Sequence, residues 1–367
     1  MPAVEDVLGG RAAVLPVPAD DARRSAALAT ALRVGEEIDD AVGAVLSTSG
    51  TTGTPKGALL TVSALVASAD ATHQRLGGPG RWLLALPAYH VAGFQVLVRS
   101  ALAGTRPVAV AASFDPAELA TAVEQMGSGR RYASLVAVQL DKALRDPAAT
   151  AALAALDAVL IGGGPMPAGV GEKASAAGIS VIRTYGMSET AGGCVYDGVP
   201  LRGVEVRIDD DGPTGGRIRL GGPTVAAGYR NPVTPDPFAE PGWFRTDDIG
   251  ALVDGTLRVL GRADDAISTG GLTVLPGMVE AALATHPAVA ECAAFGVADE
   301  RLGQRVVVAV VPVPGESVTL AQLRSHVGET LPSTAAPRQL HVLDELPRRG
   351  IGKIDRRALV RRFGAAN

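Results

Sequence analysis

The pattern of hydrophobic and polar residues divides the first half of the chain into buried strands and amphipathic helices. Apolar runs of the kind found in buried strands occupy residues 41–46, 82–86, 134–138, 158–161 and 179–183. Helix-type spacing lies between them at 61–76 and 114–126 and before them at 23–34. This alternation predicts a parallel sheet covered by helices on both faces.

The pattern changes after about residue 198, where short strands separated by Gly, Pro and Asp replace the helices. These predicted strands are residues 204–208, 216–220, 251–253 and 256–260. Asp254-Gly255 is a hairpin signal between the last two. After a polar break at 261–265, the pattern again predicts both helices and strands. The predicted helices are 278–284 and 320–330, and the predicted strands are 289–297 and 306–313. We therefore expect two domains, residues 1–263, with a β subdomain at about 199–261, and residues 264–367.

Composition excludes several classes of protein. The 367 residues are 47% hydrophobic and 20% charged, which is too apolar for a disordered chain. A net charge of −4 and 4% aromatic residues argue against nucleic-acid binding. No apolar run reaches the ~18 residues of a membrane helix. Residues 1–6 have no positively charged segment followed by an apolar stretch, so we expect no secretory signal. With only two cysteines, we expect a cytoplasmic protein without a membrane anchor.

Lysine is rare in this chain, which makes the remaining lysines informative. Of the 34 basic residues only four are lysine: Lys56, Lys142, Lys173 and Lys353. Lys142 and Lys173 lie in helix-like stretches typical of a solvated surface. Lys56 and Lys353 each stand beside glycine, and we expect their ammonium groups to carry chemistry.

The segment 47–57 follows a predicted strand and has the composition of a phosphate-binding loop. It holds six hydroxyl residues, three glycines and Lys56 in eleven positions. Glycines let backbone N–H groups turn toward an anion, and hydroxyls and an ammonium add donors. The Walker spacing is not met, because only two residues separate Gly53 from Lys56. The alternative is an ordinary Ser/Thr/Gly surface loop.

Four further motifs are weak when each is taken alone. In 185–190, the Glu189 carboxylate stands between hydroxyls and could bind Mg²⁺, although such a group is also common at helix starts. The glycines of 162–165 suit a close ligand or a tight turn. Carboxylates in 243–248 suit ribose hydroxyls or a solvated turn, and the glycine-flanked Lys353 suits delivery to a distant site or a structural role.

The order and approximate spacing of these five motifs resemble the adenylate-forming superfamily of acyl-CoA synthetases, amino-acid adenylation domains and luciferases. The resemblance extends from Val45 to about Leu359. It implies a large N-terminal domain with parallel α/β sheets and a β subdomain, followed by a small mobile α+β domain. It also implies ATP, Mg²⁺ and coenzyme A as reactants, small-molecule partners, and a monomer or homodimer.

The resemblance assigns ATP binding to the phosphate loop, the short glycine motif and several polar residues. The residues are Ser47, Thr48, Ser49, Gly50, Thr51, Thr52, Gly53, Thr54, Lys56, Gly163, Gly164, Pro165, Tyr185, Ser188, Asp248 and Arg262. Asp248 would bind the ribose, Arg262 the ribose or a phosphate, and Glu189 the metal ion.

The implied reaction has two steps. A carboxylate attacks the α-phosphate of ATP, with Lys353 bridging carboxylate and phosphate oxygens, and a thiol then displaces AMP from the acyl-adenylate. Between the steps the C-terminal domain would rotate about the hinge residue Asp264 and withdraw Lys353. Gly270 and Gly271 would then line the site that admits the pantetheine arm.

Residues 86–99 resemble one branch of the superfamily, whose members join an aromatic dicarboxylic acid to coenzyme A. Only 46 residues precede Ser47, fewer than in most members of the superfamily and as in short versions from high-GC bacteria. The acid site would contain His90, which is also a catalytic candidate, and Arg99, Gly186 and Met187. Arg99 is the candidate cation for the second carboxylate. The alternatives are a core histidine and a surface arginine.

Three positions depart from the superfamily pattern. Ser188 replaces a threonine, Asp247 replaces a glycine, and Thr273 stands where an arginine is frequent. Other readings of the chain remain open at this point: another aryl- or acyl-CoA ligase, or a non-catalytic nucleotide-binding protein on the same scaffold. A P-loop NTPase is disfavoured by the loop spacing.

Overall fold

The structure, a computed structural model, describes residues 1–48, 54–111, 114–167, 169–209, 215–349 and 353–364. The predicted ATP-binding residues Ser49, Gly50, Thr51, Thr52 and Gly53 lie outside the described residues, as do residues 350–352 beside Lys353.

Strands and helices alternate through the first 200 residues. In chain order the elements are α1 (Pro2–Leu8), α2 (Ala22–Ala31), β1 (Val42–Leu46), β2 (Ala58–Thr61), α3 (Val62–Arg75), β3 (Arg81–Leu84), α4 (Val91–Leu102), β4 (Val108–Ala109), α5 (Pro116–Gln125), β5 (Arg131–Val136), α6 (Ala137–Ala143), α7 (Pro147–Ala154), β6 (Ala158–Gly162), α8 (Val170–Ala176), β7 (Val181–Met187), β8 (Gly192–Tyr196) and β9 (Val199–Pro200).

The main sheet has the strand order β4-β3-β5-β6-β7-β8-β9 and is covered on both faces. Alternate residues of its central strands enter two different cores because side chains in a strand point to opposite faces. In β6, Val159 and Ile161 pack with α5 to α8, whereas Ala158 and Leu160 pack with α3, α4 and the β subdomain. This two-sided burial explains the continuous apolar runs in the sequence.

Several sequence predictions for these elements were wrong in detail. The main sheet is parallel from β4 through β7, but β8 and β9 run antiparallel. The predicted helix 61–76 is preceded by β2, a four-residue strand that forms a separate antiparallel pair with β1. The predicted strand 134–138 is shifted to β5, and Val138 belongs to α6. Short apolar runs fit a strand or a buried helix equally well, so periodicity could not separate them.

The β subdomain is an antiparallel sheet in chain order. Its strands are β10 (Glu205–Asp209), β11 (Gly216–Gly221), β12 (Trp243–Val253) and β13 (Thr256–Arg262). Residues 243–248, for which a solvated turn was the alternative to a ribose-binding motif, lie inside β12, which is therefore much longer than the predicted strand 251–253. Asp248 of β12 pairs with Arg262 of β13, so the sheet register brings two candidate site residues together.

The C-terminal segment forms a second α/β unit. Its elements are β14 (Ile267–Thr269), β15 (Leu272–Val274), α9 (Pro276–Leu283), β16 (Val289–Asp299), β17 (Gly303–Pro312), α10 (Leu320–Gly328), β18 (Gln339–Val342), β19 (Arg348–Arg349), β20 (Lys353–Ile354) and α11 (Arg356–Phe363). Its sheet has the order β15-β14-β17-β16, with β18 parallel to β17. The domain boundary near residue 264 stays a prediction.

The end of the chain that carries Lys353 is fixed to this unit by a half-buried ion pair. β20 pairs with β19, and α11 begins three residues after Lys353 at Arg356. The Arg356 guanidinium donates to both carboxylate oxygens of Glu280 on α9 at 2.7 Å and to Asp265 at 3.2 Å. Both bonds to Glu280 come from Arg356 Nη2, and the bond to Asp265 comes from Nη1. The helix that follows Lys353 is therefore linked to α9 and to Asp265.

Candidate active site

The candidate phosphate loop starts where β1 ends. β1 is buried along its whole length, and Ser47 and Thr48 follow it directly. The Thr48 hydroxyl is buried and has no hydrogen-bond partner among the described residues. The loop returns at Gly57, whose φ of +69° lies in the left-handed region that glycine tolerates. A Cβ at Gly57 would also meet Leu32 at 2.5 Å, so the end of the loop requires glycine.

A second group of residues surrounds Glu189. Glu189 and Ser188 lie in a 3₁₀ turn (Ser188–Thr190) directly after β7, and the Glu189 side chain is buried. The Tyr229 hydroxyl donates to Glu189 Oε1 at 2.6 Å. Burial raises the pKa of Glu189, while the bond from Tyr229 and the charges of Lys56 and Lys353 lower it. Lys56 Nζ lies 5.3 Å from the centre of the Tyr229 ring, so Tyr229 joins the carboxylate to the loop lysine.

Tyr229 was missed by the sequence analysis because no motif surrounds it. Its position follows from the fold: Ala58 of β2 bridges to Tyr229, and the backbone N–H of Arg230 donates to the Gly57 carbonyl at 2.8 Å. The same segment also contacts α2, where the Asn231 side chain donates to the carbonyls of Ala31 and Pro55 at 2.9 and 2.7 Å. Residues 229–231 therefore connect the metal candidate, the phosphate loop and α2.

The third group joins β7 to the β subdomain. The Tyr185 hydroxyl donates to Asp248 Oδ2 at 2.7 Å. Burial raises the pKa of Asp248, and the bond from Tyr185 and the charges of Arg262 and Lys353 oppose that rise. Burial lowers the pKa of Arg262, but Asp264, Asp248 and Asp247 raise it above its ordinary value. A carboxylate held beside an aromatic ring suits a ribose next to a base.

Arg262 and the hinge candidate Asp264 form a bidentate pair. Arg262 Nε and Nη2 donate to the two Asp264 carboxylate oxygens at 2.8 and 2.9 Å. The Arg262 guanidinium reaches Asp248 and Asp247 only at 3.4 Å. Asp247, which replaces the usual glycine, points into solvent from β12 and also accepts from Arg217 at 3.1 Å. The substitution thus adds a charge contact in a strand.

Lys353 brings the C-terminal unit to these groups. Its charge opposes the rise that burial causes in the pKa of Glu189 and of Asp248, and it adds to the fall in the pKa of His90; in each case it is the smallest of the causes. These three residues lie on different elements of the large N-terminal part. The electrostatic effect of Lys353 therefore extends to three of the predicted site residues.

His90 is one of the residues that line a cavity of about 610 Å³ beside the candidate phosphate loop. It is the N-cap residue of α4, and its ring lies 4.5 Å from that of Tyr89, centre to centre. Burial lowers the pKa of His90 below 6.5, and the charges of Arg24 and then Lys353 lower it further. Ser47, Thr48 and Thr54 line the same cavity. A neutral imidazole thus stands between the phosphate loop and a pocket large enough for an aryl acid.

Other predicted site residues lie outside this group. Gly163, Gly164 and Pro165 form an exposed turn after β6, where a Cβ on Gly164 would meet nothing within 4 Å. Gly270 and Gly271, at φ +60° and +80°, form the two-residue turn between β14 and β15, which by itself explains both glycines. Gly186 precedes Met187 in β7, and a Cβ there would lie 2.1 Å from the Gly192 carbonyl oxygen. Strand contact therefore explains Gly186.

Arg99 is the predicted residue that the structure separates most clearly from the cavity. It lies nine residues after His90 on α4, about 13 Å along a helix axis. Its side chain is buried, and its guanidinium carbon lies 4.9 Å from the centre of the Trp82 ring. Burial lowers the pKa of Arg99, and Tyr196, whose hydroxyl bonds to Thr72 at 2.9 Å, opposes this. Arg99 is not among the residues that line the cavity beside His90, and its burial also differs from the surface position weighed as the alternative.

We expect Arg99→Met to stabilise the protein by about 1 kcal/mol, because Arg99 Nε is buried without a hydrogen-bond partner in the described residues. Urea unfolding of the two proteins measures the difference. A loss of more than about 1 kcal/mol would contradict this expectation and show that the contacts of Arg99 with Trp82 and Tyr196 outweigh the cost of burying its charge.

The donor set fits a magnesium ion bound through one carboxylate. Within the described ranges no group of three or more His, Cys, Asp or Glu side chains could hold a metal ion by itself. Magnesium usually binds through one or two carboxylates, with phosphate oxygens and waters as its other ligands. The buried Glu189 carboxylate supplies such a ligand, and the unpartnered Thr48 hydroxyl lies at the candidate phosphate loop.

Comparison with known proteins identifies the family. Residues 15–230 match the profile of the AMP-binding enzyme, and residues 278–353 match that of the AMP-binding enzyme C-terminal domain. The chain belongs to the AMP-binding enzyme family. Among AMP-binding enzymes, it is 65% identical over 370 residues to the probable 2-succinylbenzoate–CoA ligase of Mycobacterium tuberculosis (strain ATCC 25618 / H37Rv), a match that covers 99% of this chain and 94% of the relative.

Solved AMP-binding enzymes agree with this assignment. One is the o-succinylbenzoate CoA synthetase from Bacillus subtilis in complex with the acyl-adenylate intermediate OSB-AMP, with a TM-score of 0.74 and 30% identity over 87% of this chain and 69% of that one. The same enzyme with ATP and magnesium ion gives a TM-score of 0.71 and 31% identity over 85% and 70%. The predicted superfamily and the adenylate-forming fold, with a large N-terminal and a small C-terminal domain, are confirmed.

No helix in the described part of the chain is long and apolar enough to span a membrane.

Proposed function

We propose that this protein is a 2-succinylbenzoate–CoA ligase. In the first step one carboxylate of the acid attacks the α-phosphorus of ATP, and the bond to the pyrophosphate leaving group breaks. In the second step the sulfur of coenzyme A attacks the acyl carbon, the bond to AMP breaks, and the thiol proton passes to solvent or a base. The products are the thioester, AMP and pyrophosphate.

One arrangement carries the chemistry of this proposal. The charge of Lys353, from the C-terminal unit, acts on Glu189, Asp248 and His90 of the large domain. These residues come from four separate segments of the chain, and a cavity of about 610 Å³ opens beside His90. The identity of the acid is supported by the 65% identical relative, which carries that name.

The charges suit a reaction between two anions. A carboxylate and a triphosphate repel each other, so the first step needs cations at the oxygens where charge develops. Lys353 would contact the attacking carboxylate and the α-phosphate, and Lys56 the outer phosphates. His90, kept neutral by burial, would donate a hydrogen bond to the acid without competing for the phosphates. Asp248 would accept bonds from the ribose hydroxyls, held in place by Tyr185.

A magnesium ion held by Glu189 would neutralise phosphate charge and aid departure of pyrophosphate. The role of Tyr229 is to orient the Glu189 carboxylate through its 2.6 Å bond. Ser188 and Thr48 would add hydroxyl contacts near the phosphates.

In the second step Lys353 would withdraw, so that a thiol could reach the acyl-adenylate. We propose that the C-terminal domain turns about Asp264, which would break the bidentate pair with Arg262. Gly270 and Gly271, on the exposed turn of the C-terminal sheet, would then face the acyl-adenylate and pass the pantetheine arm.

The proposal is tested by mixing the purified protein with ATP, Mg²⁺, coenzyme A and 2-succinylbenzoate, and following products by mass spectrometry. Parallel reactions contain benzoate or medium-chain fatty acids. We expect AMP and a succinylbenzoyl-CoA mass, with little thioester from the other acids. Thioester from a different acid would support another aryl- or acyl-CoA ligase. No AMP from any acid would support a non-catalytic nucleotide-binding protein, and ADP as product would contradict the adenylation chemistry.

A further inference from the structure

A substrate with two carboxylates raises the question of what holds the one that does not react. A carboxylate that leaves water for a pocket needs a cation or several donors. Lys56 and Lys353 both act on Glu189 at the phosphate end of the site, and Arg99 is in the core beside Trp82. None of these three cations is therefore placed for the far end of the acid.

The wall of the cavity that adjoins His90 carries another cation, Arg24. Arg24 lines the same cavity as Ser47, Thr48, Tyr89 and His90. Its guanidinium carbon lies 5.5 Å from the centre of the Tyr89 ring, and its charge lowers the pKa of His90. The residue is exposed, so the guanidinium keeps its hydration in the free enzyme and is accessible to a ligand.

The helix that carries Arg24 is fixed relative to the phosphate loop. The Asp21 side chain caps α2 by accepting from the backbone N–H of Arg24 at 2.8 Å. Leu28 and Leu32 pack against Val42 and Val45 of β1, the strand that leads into the loop. At the other end, the Asn231 side chain joins the Ala31 carbonyl to Pro55. The cavity wall between these anchors is apolar, formed by Ala27, Leu28 and Ala31.

We infer that Arg24 binds the second, non-reacting carboxylate of the acid and thereby selects dicarboxylic over monocarboxylic substrates. This inference rests on the proposed function. The guanidinium offers parallel N–H donors that match a carboxylate, and stacking on Tyr89 limits its motion before the acid arrives. The apolar wall of α2 accepts the aryl ring between the two charged ends. The reacting carboxylate then lies at His90, within reach of Lys353.

The test compares wild-type protein with Arg24→Ala, Arg24→Gln, Arg24→Lys and the control Arg23→Ala, a neighbouring exposed arginine on the same helix. Pyrophosphate release without coenzyme A gives kcat and KM for adenylation of 2-succinylbenzoate. Two monocarboxylate analogues, 3-benzoylpropanoate and 2-butyrylbenzoate, each lack one carboxylate and are measured as substrates or as competitive inhibitors. Circular dichroism checks that each variant is folded.

We expect Arg24→Ala and Arg24→Gln to raise KM for 2-succinylbenzoate about 10- to 100-fold, with a smaller change in kcat. Arg24→Lys should recover part of the affinity, and Arg23→Ala should match the wild type. The analogue that retains only the reacting carboxylate should bind equally to all variants. An unchanged KM for 2-succinylbenzoate would overturn the role of Arg24. An equal loss of affinity for 2-succinylbenzoate and for the analogue that retains only the reacting carboxylate would overturn it as well. If the wild type released pyrophosphate with none of these acids, the proposed function itself would fail and this inference with it.

Discussion

Replacing Lys353 by alanine should lower the rate of acyl-adenylate formation about 10²- to 10³-fold and leave the second half-reaction nearly intact. Lys353 is the cation from the C-terminal domain whose charge acts on His90, Glu189 and Asp248. Removing one preorganised group that stabilises developing charge costs about 10²- to 10³-fold in rate. The thiol step needs no cation at the former α-phosphate attack site, because AMP leaves from an adenylate already formed.

Two assays separate these half-reactions. Pyrophosphate release from ATP and the acid measures adenylation, and thioester formation from a supplied acyl-adenylate and coenzyme A measures the thiol step. Lys173→Ala is the matched control, since Lys173 is exposed on α8 and has no proposed role. If Lys353→Ala lowered both rates equally, Lys353 would act in shared binding or folding. If neither rate changed, the assigned role would be wrong.

The position of Arg24 illustrates which part of the site the sequence could not supply. Motifs such as 47–57 and 185–190 are recognisable because glycines, hydroxyls and a carboxylate occur together in a few residues. Arg24 and Tyr89 are 65 positions apart by number and meet only when α2 packs against β1 and the segment before α4 closes the cavity. No local pattern marks such a pair.

Arg99 is the reverse case, a residue near His90 in the sequence that does not share its surroundings in the fold. An arginine in an apolar run near a candidate histidine suggested a shared pocket, but a helix carries residues nine positions apart to different ends. His90 caps the N-terminus of α4 beside the cavity, whereas Arg99 lies in its last turn among buried aromatic residues. Neither α4 nor the burial of the Arg99 side chain in the core was predicted from the sequence.

The order of elements was easier to predict than the direction and bounds of strands. β6 was recognised from its apolar run because both faces are buried. β2 was missed because it has only four residues, between a loop predicted to end at Gly57 and a helix predicted to begin at Thr61. The pairing of Asp248 with Arg262 depends on the register of β12 and β13, which alternation alone does not determine.

Glu189→Gln should reduce the adenylation rate about 10²-fold and raise the Mg²⁺ concentration needed for half-maximal rate. The substitution keeps the size of the side chain and an oxygen that accepts from Tyr229, but it removes the negative charge that would bind the cation. Burial raises the pKa of Glu189, and the charges of Lys56 and Lys353 counteract this rise. The pKa of Glu189 stays raised overall, and a bound cation would favour the ionised carboxylate, a charge that an amide cannot supply.

The measurement is the adenylation rate as a function of Mg²⁺ at saturating ATP and acid. Tyr229→Phe is the matched variant, because it removes the 2.6 Å hydrogen bond and leaves the carboxylate and its charge. We expect Tyr229→Phe to lose no more than about tenfold in rate, since it affects the orientation of Glu189 only. An unchanged Mg²⁺ dependence in Glu189→Gln would exclude Glu189 as the metal ligand, whatever the fall in rate. Equal defects in the two variants would instead show that Glu189 acts mainly through its bond to Tyr229, in bracing the loop that carries Lys56.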